Sequence, residues 1–289
     1  SSHFYIGDNS NLFVEKGYGN NKPNTGQMDH ATHVAGIIAA NVSTIGQSPY
    51  AQIMCLRAVP DEGDERDKDV ANAIYYAVDN GASIINMSAG KYFSPQPEKV
   101  VQAIKYAEEK GVVFVSSAGN ESSDIEDKIN FPRKFVMENG QMKFFSNMIV
   151  VGASTWMKEW SQAKDPEDFA GRFDLAASFS NYSDRVVDVF APGLQINSSY
   201  PNPTYKKLDG TSMSAPEVSG VAANLKAYFP NLTAAQIKEI IVSSARTYPG
   251  LNVKVKGKNS RVPFSELSKS GGVVDMLNAY KRAYEFAQN

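Results

Sequence analysis

A hydroxyl at the mouth of a helix built from small residues is the first chemistry this sequence offers. In Gly210-Thr-Ser-Met-Ser-Ala-Pro216, Ser212 is followed by Ser214, Ala215, Ser219, Gly220, Val221, Ala222 and Ala223, so a helix can start at the serine and pack closely on a sheet. A helix N-terminus carries free N–H groups and a partial positive charge, which suit a developing oxyanion. Packing alone accounts for the small residues but not for the Gly-Thr-Ser opening. A hydroxyl is a weak nucleophile until a neighbouring group takes its proton. The chain has three histidines, and two stand in Asp29-His30-Ala31-Thr32-His33-Val34-Ala35-Gly36, ahead of the apolar run Ile37-Ile38-Ala39-Ala40. This reads as a second helix opening at a reactive side chain, His30. A third stretch, Val112-Val113-Phe114-Val115-Ser116-Ser117-Ala118-Gly119-Asn120, is a buried-type strand ending in small residues and a side-chain amide. The Asn120 amide N–H groups can donate to an oxyanion.

In the order His30, Asn120, Ser212, these stretches resemble the subtilisin-like serine peptidases, whose signatures are His-Gly-Thr-His-Val-Ala-Gly, Ala-Gly-Asn and Gly-Thr-Ser-Met-Ala-x-Pro. The later strands Ala177-Ser178-Phe179-Ser180-Asn181-Tyr182 and Val187-Asp188-Val189-Phe190-Ala191-Pro192-Gly193 fit the same family, of bacterial type. The resemblance implies acyl transfer through a covalent acyl-enzyme, with Ser212 as nucleophile, His30 as base and then acid, and Asn120 with the Ser212 N–H holding the oxyanion. It also implies a substrate cleft. Ser88, Ala89 and Gly90 would pair with the peptide on one side and Gly63 and Asp64 on the other. Ser117, Ala118 and Gly119 would line the first specificity pocket, with Asn130 and Phe131 near its base. No cofactor is required. A structural calcium ion beside the His30 helix occurs in the family, but the loop Asn41 to Tyr50 is shortened and does not support it.

The family's triad also needs an aspartate in an apolar-Asp-Ser/Thr-Gly context upstream of the histidine, and no such segment precedes His30. Asp8 sits in a turn-like run, and Asp29 is too close in sequence to reach the far ring nitrogen of its neighbour. The aspartate's strand lies inside the family's sheet, and its loss would leave two rows of backbone groups unpaired. The expectation is therefore an upstream segment outside these residues, cut away or held as a cleaved piece or propeptide. A catalytically silent relative that binds peptides or a partner protein is the second reading. A metallohydrolase using His30 and His33 is the third, and it lacks both the Glu of His-Glu-x-x-His and an evident third ligand. His33 reads instead as a structural histidine bonded inside its helix, and His3 as exposed.

Alternation of strand-like runs at 53–59, 82–87, 112–117, 148–153 and 186–190 with helical spacing at 69–78 and 100–107 predicts a three-layer α/β fold. Its central sheet is mostly parallel and covered by helices on both faces. Thr233 caps a helix over 234–244, and a last amphipathic helix ends near Phe286. The 289 residues read as one domain, with 1–28 as an irregular lead-in. A formal charge of −2 gives no basic field for nucleic acid, and no apolar run approaches the ~18 residues of a membrane span. The single cysteine, Cys55, reads as a core thiol. Asp61, Glu62, Asp64, Glu65 and Asp67 form an acidic run that would favour basic substrate residues, or else a solvated loop. Segments 133–146 and 156–176 exceed the compact family pattern. Secretion, or a place in the cell envelope, is what the family resemblance implies.

Overall fold

Three strands whose every residue is apolar or small can be buried on both faces, and they form the middle of the sheet. The computed structural model describes residues 28–41, 43–59, 64–126, 130–155, 174–202, 204–255 and 260–288. Helices α1 (Met28–Ala39), α2 (Asp67–Asp79) and α3 (Pro97–Glu109) alternate with strands β1 (Ile84–Met87) and β2 (Val113–Ser117). A hairpin of β3 (Phe135–Glu138) and β4 (Gln141–Phe144) precedes β5 (Met148–Ser154) and β6 (Val189–Pro192). A second hairpin, β7 (Ile196–Tyr200) with β8 (Thr204–Leu208), leads to α4 (Thr211–Tyr228) and α5 (Ala234–Ser243). Short strands β9 (Arg246–Thr247), β10 (Asn252–Val253), β11 (Val262–Pro263) and β12 (Gly272–Val273) come before α6 (Met276–Gln288). The main sheet runs β1-β2-β5-β6-β12-β9, parallel as far as β12 and antiparallel only at β9.

Side-chain alternation divides the core between two helical layers. Val113, Val115, Ile149, Val151, Val189 and Ala191 pack with α4, α5 and α6 through Ala215, Leu225, Ile237, Ile241 and Ala279. Phe114, Met148, Val150 and Phe190 face the other way, onto Val70 and Ile74 of α2 and Val100 and Ile104 of α3. The expected three-layer α/β architecture is therefore observed. Thr233 closes α5 with a capping box, its hydroxyl accepting from Gln236 N while the Gln236 side chain accepts from Thr233 N.

The expectation at 53–59 needs correction. Residues 51–58 carry no strand, and among the described residues β1 is the edge of the sheet. An apolar run becomes a strand only where a partner offers its backbone groups, and none of the described strands pairs with it. Cys55 in this run is half-buried, and burial raises the pKa of its thiol. The ladder expected at 186–190 begins only at Val189, because Ser183 Oγ accepts from the Arg185 and Val186 N–H groups and holds a turn before it.

Segment 133–146 is the β3–β4 hairpin, registered Phe135 against Phe144. Lys134 at its base is almost wholly buried, and its Nζ donates to Asp188 Oδ1 at 2.8 Å and to Val186 O at 3.0 Å. Asp188 Oδ2 accepts from Val150 N at 2.8 Å, and Lys238 Nζ stands 4.0 Å from Asp188 while donating to Phe145 O. Burial lowers the pKa of both lysines, that of Lys238 to about 8, against the pull of Asp188. Residues 156–173 of the other long segment, like the lead-in 1–27, lie outside the described residues. Truncating one partner of a buried pair leaves the other charge uncompensated. Lys134→Ala should therefore cost about 3 kcal/mol of unfolding free energy in a denaturant titration, and more than Lys238→Ala.

Candidate active site

The three candidate residues stand where strands end and helices begin. Ser212 is in the first turn of α4 and His30 in the first turn of α1. Asn120 lies three residues beyond the end of β2. Met213, next to Ser212, is buried in one cluster with Val34 and Ile37 of α1 and Ile196 of β7. Packing of α1 on α4 thus brings the two helix openings to the same end of the sheet.

Polar side chains fix the turn that carries Ser212. Asn120 Oδ1 accepts from Thr211 N and from Thr211 Oγ1, each at 2.9 Å. Thr211 Oγ1 in turn accepts from Gly119 N at 3.1 Å. With its carbonyl committed to Thr211, the amide of Asn120 presents its Nδ2 hydrogens elsewhere. A Cβ added at Gly210 would lie 3.6 Å from both Asn120 Nδ2 and Ser212 N, so the two donors border one small space. Gly210 has φ +149°, a conformation in which a side chain would be strained. First-turn N–H groups have no acceptor within their helix, which leaves the Ser212 N–H available to that space.

A second relay clamps the backbone of Ser212 to the sheet edge. Ser219 Oγ, two turns along α4, donates to Asn86 Oδ1 at 2.9 Å; Asn86 Nδ2 donates to Ser88 Oγ at 3.0 Å; Ser88 Oγ donates to Ser212 O at 2.9 Å. The Ser212 hydroxyl itself donates to Ser88 O at 3.3 Å. Thr211 and Ser219 carry no signal of this in the sequence beyond their places in the stretch that opens at Gly210, and Asn86 carries none. The one clue is that Ser219 lies on the same helix face as Ser212.

His30 is at the surface of its helix turn, but desolvation and then the neighbouring His33 hold its pKa below the ordinary value. Among the described residues no carboxylate bonds to it. Asp29 accepts instead from the Tyr200 hydroxyl, and Asp8 lies outside the described residues. His33 is fully buried, and its partners are not in its own helix as expected but in the β7–β8 hairpin. Its Nε2 bonds Ile196 O at 3.0 Å and Lys206 O at 2.9 Å. Its Nε2 is thus spent on backbone carbonyls, while its Nδ1 is buried with no hydrogen-bond partner among the described residues.

Of the expected substrate-binding residues, Ser88 and Ala89 are half-buried, Gly90 and Asp64 are exposed, and Gly63 lies outside the described residues. Ser117 and Ala118 are buried and Gly119 is half-buried. Lys91 and Phe131 exchange backbone hydrogen bonds, which sets Asn130 and Phe131 beside the 88–91 segment. Glu65 and Asp67 of the acidic run are turned inward against Lys91, whose Nζ is 3.0 Å from Asp67 and donates to Glu65 O. They therefore contribute little to a field over the cleft. The 41–50 loop is drawn together by an Asn41–Ile45 bridge, and its sequence contains no carboxylate. Among the described residues no group of three or more His, Cys, Asp or Glu is placed to hold a metal, and no helix is long and apolar enough to cross a membrane.

Comparison with known proteins identifies the family. The family model described as "Subtilase family" matches residues 2–266. The chain is 32% identical to Subtilisin DY of Bacillus licheniformis over 226 residues, covering 77% of this chain and 72% of that protein. It is 36% identical to Thermitase of Thermoactinomyces vulgaris over 225 residues, 76% of this chain and 68% of the other. Among solved structures, the prenylagaramide maturation protease PagA superposes with a TM-score of 0.64 at 25% identity, covering 88% of this chain and 82% of that one. A cold-adapted subtilisin-like serine proteinase gives 0.61 at 26%, covering 86% and 72%.

Glu217 of α4 marks the joint between the two helices. Its carboxylate accepts from the Gln47 amide, while Gln47 N donates to Ile37 O and Gln47 O accepts from Asn224 of α4. Burial pushes the Glu217 pKa up to about 7, with Gln47 opposing. A carboxyl whose folded pKa exceeds its unfolded value gives stability that is full below the unfolded value and lost as pH rises through the folded one. Glu217→Gln should therefore flatten the fall in Tm between about pH 5 and pH 8, measured by thermal melts across that range.

Proposed function

Because this chain belongs to the subtilase family and is a serine peptidase, we propose that Ser212 is its nucleophile, His30 its general base and Asn120, with the Ser212 N–H, its oxyanion hole. The observation that carries this reading is the space shared by Asn120 Nδ2 and Ser212 N at the opening of α4. Donors fixed in advance around a developing charge lower the barrier without reorganising during the reaction. A neutral His30, favoured by its lowered pKa, is ready to take the serine proton at neutral pH. Attack on the scissile carbonyl forms the Ser212 ester as the amine leaves with a proton from His30. Water then attacks the ester, gives its proton to His30, and releases the acid and the Ser212 hydroxyl.

In the same reading a carboxylate from upstream of α1 stands against the other ring nitrogen of His30. No metal or organic cofactor takes part in the steps. The substrate is a peptide or protein lying between residues 88–90 and the 63–64 segment. The family likeness favours action outside the cell, with an N-terminal propeptide or cleaved upstream segment as partner before maturation.

A fluorophosphonate probe should add to Ser212, read by intact-mass spectrometry followed by peptide mapping. No adduct, or an adduct on another residue, sinks the assignment. Asn120→Ala should lower kcat by about 10²–10³ while KM moves little, the size of loss that removing one such donor has in subtilisin. A rate equal to that of the parent protein would refute the role.

A further inference from the structure

We propose that Asn181 is the positioning residue of the oxyanion hole: its buried carboxamide and its backbone N–H fix the three successive peptide groups around Asn120 and so aim the Asn120 amide. The proposal rests on the reading of Asn120 as an oxyanion donor. Asn120 lies three residues past the end of β2, where the strand ladder no longer holds its backbone. Something other than the sheet must orient it, because a donor helps only if it already points at the place where charge develops.

Asn181 bonds each peptide group in turn. The group between Ala118 and Gly119 is held at Ala118 O, which accepts from Asn181 Nδ2 at 2.9 Å and also from Asn130 Nδ2 at 3.0 Å. The group between Gly119 and Asn120 is held at Gly119 O, which accepts from Asn181 N at 3.0 Å. The group between Asn120 and Glu121 is held at Glu121 N, which donates to Asn181 Oδ1 at 3.1 Å. The same oxygen accepts from Ser123 N at 2.9 Å, and Asn181 Nδ2 also donates to Glu121 Oε2 at 2.6 Å. A carboxamide has two N–H donors and one oxygen with two lone pairs. All four of these bonds go to residues 118–123, a set that neither a carboxylate nor a hydroxyl could make.

Asn181 can serve as a fixed point because it is itself fixed. It is fully buried, and Ser180 Oγ donates to Asn181 O at 2.8 Å while accepting from Ala153 N of β5 at 2.9 Å. Gly119 allows the close approach, since it has φ +99° and a Cβ there would run into Asn181 Nδ2. On its other side the loop bonds the nucleophile turn, through Asn120 Oδ1 and Thr211. A line of short bonds thus runs from β5 through Ser180, Asn181 and Asn120 to the first turn of α4.

The test is a double-mutant cycle on kcat and KM with a peptide substrate. Asn181→Ala should lower kcat by about 10- to 100-fold with KM changed by no more than about 2-fold. In a protein that already carries Asn120→Ala, the same change should lower kcat by no more than about 3-fold further, because the group it positions is gone. Asn181→Asp, which keeps the volume and the oxygen acceptor but removes both donors, should show the same coupling with a smaller loss. Melting curves show which variants fold, and Asn181→Asp carries the cycle if Asn181→Ala does not fold. If the folded variant keeps the parent kcat, acts on KM alone, or loses kcat by a factor that simply multiplies that of Asn120→Ala, the role of Asn181 is overturned while Asn120 stands. If Asn120→Ala itself keeps the parent kcat, the oxyanion reading falls, and this proposal with it.

Discussion

The first turn of α4 is held from two sides, and the site exists only because both holds act at once. On one side Asn120 and Thr211 lock the turn to the loop after β2; on the other, Ser88 locks it to the edge strand β1. Each is a hydrogen bond between groups with few other partners, made where a strand stops and its backbone no longer pairs. Parallel strands must end at the same side of the sheet as their helices begin. A parallel sheet therefore delivers strand-end side chains and helix-start N–H groups to one place. Small residues let α4 approach closely enough for these short polar links to form. Larger side chains at Ser214 or Ala215, both fully buried, would separate helix from sheet and lose both holds together.

Electrostatics favours the same point. The helix opening supplies partial positive charge, and desolvation with His33 nearby holds the His30 pKa below its ordinary value. His33 meanwhile spends its Nε2 on carbonyls of the β7–β8 hairpin, which fastens α1 to the element leading into α4. Two histidines one turn apart thus take opposite parts. One faces outward with its ring free of described partners, and the other is a buried strut. Sequence spacing could not separate them, because the bonds of His33 run to residues 163 and 173 positions away.

That distance in sequence explains what was legible and what was not. Ser212, His30 and Asn120 stand out because each sits at a change of pattern, from apolar run to turn or from turn to helix. The central strands are legible because both their faces are buried, which leaves continuous apolar runs. Segment 53–59 has the same composition but no ladder, since strand formation depends on a neighbour and not on the run itself. The Ser219–Asn86–Ser88 relay joins residues more than a hundred positions apart through ordinary polar side chains. Beyond the place of Ser219 on the same helix face as Ser212, nothing in their local pattern marks the link between them. Similarly, the acidic run looks like a charged surface loop until Lys91 is seen to draw Glu65 and Asp67 inward.

The long segment after Asn120 also changes meaning once its anchors are known. In the sequence, residues 133–146 are an insertion without a role. In the structure, Lys134 fixes the base of that hairpin to Asp188 in the core, and Phe131 is paired to Lys91 three residues earlier. Residues 130–134 are thus gripped at both ends, one grip ionic and buried, the other a pair of backbone bonds. Asn130 at the head of this stretch is tied as well, its Nδ2 donating to Ala118 O at 3.0 Å. A segment that enters the sequence as a loop is thus joined through Ala118 to the end of β2, through Lys91 to the segment that follows β1, and through Lys134 to the core, so its order beside the active site comes from those elements and not from its own local pattern.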